Sequence, residues 1–269
     1  MAPSKAEYFS FPVFILENMI DEPLRAFNEI SDFAIVEKMD AYCSESEEYR
    51  DVSEKEKYES ACSYFCIIPK GSSRSCIIET GRRLQRQLKS QPSKIFTQIR
   101  IDTYWEYHKS IESKTEFDLA QLCTYLSIKS IVGKKEFIKT NKKLLLSRAF
   151  GTDQPYSEKR HYHHYFTRYH WERLRDALEL NWGVRVFSDH NRGFYLSTKV
   201  DYDRLAEICV SNKKKYKLQE LRKQKSDAMK RAKANNMKTA RNEPEPQQHN
   251  NMNHSTKYNT LNKVFNEGF

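Results

Sequence analysis

Glycine is scarce in this chain, seven in 269 residues, and none of them forms the loop that cradles a nucleotide phosphate. A nucleophile elbow and paired zinc motifs are missing as well, so ATP-driven and hydrolytic chemistry are not expected, nor is a cofactor. Cysteine occurs six times, at Cys43, Cys62, Cys66, Cys76, Cys123 and Cys209, but never as a CxxC pair. That pattern predicts reduced thiols rather than a disulfide framework. Cys62 and Cys66 are spaced to share a helix face, yet a zinc site needs two further ligands and none stands out, so buried core cysteines are expected. No apolar run approaches the ~20 residues of a bilayer span. The first residues also lack a charged segment followed by an apolar one, and the expectation is a cytoplasmic protein that does not enter membranes.

Charge is plentiful and unevenly placed. Residues 1–60 hold 6 Lys+Arg against 15 Asp+Glu, net −9, whereas residues 61–269 hold 40 against 21, net +19. The basic part should meet a polyanion through counterion release, a property that RNA binders and proteins at anionic membranes share with DNA binders. With 38% hydrophobic and 13% aromatic residues the chain can build a real core.

Residues 165–198, YFTRYHWERLRDALELNWGVRVFSDHNRGFYLST, carry the clearest local pattern. Phe166, Trp171, Leu174, Ala177, Leu178 and Leu180 recur at helical spacing, with Arg168, Glu172, Arg173, Arg175, Asp176 and Glu179 between them. This predicts an amphipathic helix, stopped at Gly183. The period then changes: residues 184–187 and 194–197 are β-branched or aromatic, and residues 188–193 are turn chemistry, which predicts a β-hairpin. A helix, a strand, a turn carrying Arg192-Gly193 and a returning Phe194-Tyr195-Leu196 strand resemble the end of a winged helix-turn-helix DNA-binding domain, over about residues 115–205. The closing NRGFYL is shorter than the glycine-containing strand of response-regulator effector domains, so the resemblance is to the fold and not to that subfamily.

The remaining chain agrees with that outline. Asp21-Glu22-Pro23 opens a helix to about Met39; a second helix carries Tyr58, Ala61, Cys62 and Phe65 and breaks at residues 69–73. A basic helix at 77–89 presents Arg82, Arg83, Arg86 and Lys89, for which a solvated face is favoured over phosphate contact. Residues 92–109 mix strand and helix signals and are assigned to helix. Thr115 to Asp118 caps a helix ending near Gly133, residues 136–139 suit a short strand, and Thr140-Asn141 caps a helix stopped by Gly151. The expected chain is mainly α: a helical acidic-to-basic region at 1–112, a winged helix-turn-helix with a small β-hairpin wing at 113–210, a basic helical arm at 211–241 and a disordered tail at 242–269. The arm, residues 210–241, holds 12 Lys+Arg and 2 Asp+Glu.

The resemblance implies duplex DNA as partner, in replication initiation or replisome organisation on a phage or mobile element, or in transcription regulation. It places base-reading candidates His164, Thr167, Arg168 and Arg175 on the third helix and Arg192 at the wing tip. Thr140, Asn141 and Lys142 at a helix N-terminus are phosphate candidates, as are Lys213, Lys214 and Lys215 in the arm. The acidic N-terminal region is the expected place for a protein partner. Two alternatives stand beside this reading. In one, the winged helix is a protein-docking module of an adaptor. In the other, His161-Tyr162-His163-His164 supplies the His-x-His metal signature of a rolling-circle nuclease with Tyr202 or Tyr216 as nucleophile, but that signature belongs on a strand and here runs into a helix.

Overall fold

The structure, a computed structural model, describes residues 7–45, 52–68, 73–152, 163–188 and 193–241. The expected tail, the wing tip with Arg192, the break at 69–72, most of the loop at 152–159, and His161 with Tyr162 lie outside the described residues. Residues 1–213 form one compact unit and residues 214–269 a second.

In the first unit, β1 (Tyr8–Pro12) pairs antiparallel with β2 (Phe96–Arg100), setting Phe9 opposite Ile99 and Phe11 opposite Thr97, all four buried. The helix assigned to 92–109 is therefore corrected: a strand occupies its first part, and α4 (Ile101–Lys109) follows. Alternation of Thr97 and Ile99 is completed only by a partner strand far earlier in the chain, and such pairing overrides local preference.

Helix α1 (Pro23–Glu45) outruns its expected end and buries Phe27, Ile30, Phe33 and Ala34 at spacings of three and four. Helix α2 (Glu54–Tyr64) starts in a capping box between Ser53 and Glu56. It ends before Cys66, whose φ is 56°, so Cys62 and Cys66 do not share a helix face: Cys62 is buried and Cys66 exposed. Helix α3 (Arg74–Ser90) packs on α1 through Gly81, where an added Cβ would meet Val36 and lie 2.6 Å from the Asp32 carbonyl oxygen. Gly81→Ala should therefore cost about 1–3 kcal/mol by overpacking, despite the better helix propensity of alanine; urea unfolding checks it. Arg86 and Lys89 on α3 are exposed, as a solvated face requires, but two of its arginines pair with α1. Arg83 reaches Glu29 at 2.7 Å and Arg82 reaches Asp40, both on α1.

Asp32 borders a cavity of about 710 Å³ lined by Tyr58, Tyr104, Trp105 and His108. Burial, then the charge of Glu29, pushes its carboxyl up to about 7, with Arg83 partly opposing. The folded chain thus holds a proton that the unfolded chain releases near pH 4, and stability falls as pH rises from there to about 7. Asp32→Asn should raise the thermal midpoint at pH 8 and leave it unchanged at pH 4.

Helix α5 (Glu116–Val132) begins in a capping box between Thr115 and Asp118 and ends at Gly133. Then come β3 (Phe137–Thr140), α6 (Lys142–Ala149), a 3₁₀ turn at His164–Phe166, α7 (Trp171–Trp182), β4 (Arg185–Ser188) and β5 (Phe194–Ser197). The last strand lies centrally in an antiparallel sheet of order β3-β5-β4. Helix α7 starts later than its periodicity predicts, and Leu180, expected on the apolar stripe, is 84% exposed. Helix α8 (Tyr202–Arg241) opens with Asp201 accepting from the Arg204 N–H and buries Leu205 and Cys209 beside Tyr195.

One hydrophobic core runs from Phe9 to Leu196. Two buried hydroxyls tie its parts: Thr97 donates to the Leu126 carbonyl at 2.6 Å, and Ser127 to the Leu145 carbonyl at 2.8 Å. In the second unit, Leu218, Leu221 and Met229 are exposed among lysines and arginines. Among the described residues the architecture is mainly helical with two small antiparallel sheets, and no helix is long and apolar enough to cross a membrane.

Candidate nucleic-acid interface

The sheet order brings the hairpin against β3 through a close approach. Gly193, at φ 95°, sits so tightly against the Thr140 carbonyl oxygen that no Cβ fits there. Only glycine meets both requirements, the left-handed backbone and the missing side chain. The end of β3 and the start of β5 are thereby locked together at the start of α6.

Asn141 caps α6, its Oδ1 accepting from the Leu144 N–H at 2.9 Å, and Lys142 follows exposed in the first turn. Thr140 is different. Its hydroxyl is buried at the end of β3, beside Phe194, and no surface phosphate reaches it.

The base-reading candidates do not share one helix face. His164 lies in the 3₁₀ turn, and Thr167 and Arg168 lie between that turn and α7. Thr167 turns inward, its hydroxyl donating to the His164 carbonyl at 3.0 Å and sitting 3.1 Å from His170 Nδ1. Arg168 is exposed with its guanidinium over the Tyr169 ring. Arg175 is on α7, but both its Nε and Nη2 bond Asp176 Oδ1, at 3.0 and 2.8 Å. The hydrogen bond to Asp176 raises its pKa, and Glu179 and Glu172 add to this. On α7, Glu172, Asp176 and Glu179 outnumber Arg173 and Arg175, and Arg173 lies over the Phe117 ring at 4.2 Å. Periodicity could not reveal this, because it marks the face that packs and is silent on how charges on the other face pair.

No family model, curated protein or solved structure matches this chain. Basic residues of the chain itself are what mark a candidate interface.

Those residues point to β3 and its flanks. Residues 129–148 contain seven Lys+Arg and one acidic residue, Glu136. Lys134, Lys135, Lys139, Lys142 and Lys143 are exposed, and so is Lys199 just after β5. Lys199 Nζ donates to the Lys134 carbonyl at 3.2 Å, which brings the two segments together. Lys129 titrates below the ordinary lysine range because it is partly buried and because Lys199 and Arg100 lie near. The sequence pattern called attention to Lys142 alone; the visible signal for the others was the run itself, spread over a helix, a turn, a strand and a second helix. Lys213 is exposed in the first unit, and Lys214 and Lys215 are exposed in the second.

Proposed function

We propose that this chain binds duplex DNA with a winged helix-turn-helix, and that most of its affinity comes from phosphate contacts by the lysines around β3 and the first turn of α6. The observation that carries the reading is this border of exposed lysines, Lys134, Lys135, Lys139, Lys142, Lys143 and Lys199, with Glu136 the one acidic residue in 129–148. The order helix, strand, helix, helix, strand, strand with sheet order β3-β5-β4 supports it, since that order presents α7 and the hairpin on one module. Phosphate contacts position a protein, while base edges specify the sequence. With Arg175 held by Asp176 and Thr167 turned inward, His164 and Arg168 are the base-side candidates that keep exposed polar groups. Replication initiation and transcription control both begin with this step.

A second reading has an observation of its own. The acidic surface of α7, with Leu180 84% exposed on it and Tyr169 80% exposed just ahead of it, suits a protein-docking face of an adaptor. Fluorescence anisotropy of the full chain with duplex DNA, single-stranded DNA and RNA of equal length, each across a salt series, separates the two. Duplex preference that persists at physiological salt supports the winged-helix reading. Equal binding to all three that vanishes with salt sinks it and leaves the adaptor.

A further inference from the structure

Glu116, the first residue of α5, and the consecutive His163 and His164, in the approach to α7, are far apart in sequence but converge in space. One ligand atom from each lies within 4.8 Å of the other two, and His163 Nε2 is 3.8 Å from Glu116 Oε2. We propose that these three side chains bind a divalent transition-metal cation of the zinc class.

Tetrahedral zinc with nitrogen and oxygen bonds near 2.0–2.1 Å places its ligand atoms about 3.4 Å apart. The three donors therefore need to close by up to about 1.4 Å to hold the ion. Two imidazoles and one carboxylate suit zinc, nickel or copper, whereas magnesium and calcium call for oxygen donors. A simple ion pair leaves His164 out, whereas one cation can be shared by all three donors: His163 Nε2 and Glu116 Oε2 face each other at 3.8 Å, with a ligand atom of His164 within 4.8 Å of both. His163 Nδ1 accepts a long 3.5 Å contact from the Tyr165 N–H; metal at Nε2 moves the ring proton to Nδ1 and gives up this contact, a small loss at that length. Glu116 and His164 are exposed, so the fourth position opens to water.

The geometry differs from the nuclease signature, because His163 lies on no strand and its partners are His164 and Glu116. Bound metal would tie the start of α5 to the 3₁₀ turn before α7, next to the Phe117–Tyr165 ring pair at 5.5 Å. If α7 reads DNA, as proposed above, metal would steady its approach; that clause alone rests on the DNA-binding reading.

Isothermal titration of zinc chloride into the full chain, stripped beforehand with a chelator, tests the site without DNA. One equivalent should bind, and His164→Ala and Glu116→Gln, both at exposed positions, should each weaken binding at least tenfold while leaving the far-ultraviolet circular dichroism unchanged. Zinc should also raise the thermal midpoint of the native chain and of neither variant. Absence of stoichiometric uptake overturns the site, as does uptake equally strong in both variants or matched by magnesium. DNA binding can fail while this site stands, and the reverse.

Discussion

Lys139, Lys142 and Lys143 replaced together by alanine should weaken duplex DNA binding about tenfold to a hundredfold near physiological salt. The slope of log affinity against log salt should fall by about 2–3, since each neutralised phosphate contributes about 0.9 to that slope. All three side chains are exposed, at the end of β3 and in the first turn of α6, so the fold should lose no more than about 0.5 kcal/mol per position. Arg175→Ala is the informative control. Its guanidinium already bonds Asp176, and its loss should change neither affinity nor salt slope. Anisotropy titrations across a salt series read both quantities. An unchanged slope in the triple variant would remove the β3 border from the interface.

Trp171→Ala should produce the largest loss of stability. Trp171 is 2% exposed and stacks on Phe194 of β5, with ring centroids 5.0 Å apart and planes 25° apart. Removing so large a buried ring costs about 3–5 kcal/mol, and in a chain of this size the thermal midpoint should fall by on the order of 10 °C. Trp171→Phe should recover part of that loss. Leu180→Ala, on the same helix but 84% exposed, should leave the midpoint where it is. Thermal unfolding followed by circular dichroism compares all three.

Where local chemistry determines structure, the elements were legible from the residues. The Thr115–Asp118 capping box, the stop at Gly183 in the left-handed region and the β4–β5 hairpin each depend on side chains a few positions apart. Where a distant partner decides, they were not. Strand β2 needs β1, and FTQIR alone carries too little alternation to announce it. The start of α7 shifted for a related reason: Phe166 is buried as its spacing promised, but from a 3₁₀ turn ahead of the helix. Among the candidate contacts, Lys142 and Arg168 are exposed as a binding residue must be, whereas Thr140 is enclosed by strand pairing. The Glu116–His163–His164 cluster joins residues that no short motif would group.

The hydroxyl of Thr97, held by the Leu126 carbonyl inside a core that runs from Phe9 to Leu196, limits how the molecule can be taken apart. Cutting the chain near residue 112 to isolate the half that holds the candidate DNA contacts would strip β2 from α5 and leave the buried flank of that helix open to water. Such a fragment is a poor graft for fusion to another protein. Any shortened version that stays folded has to retain the N-terminal strands, even though none of their residues is a candidate for touching DNA.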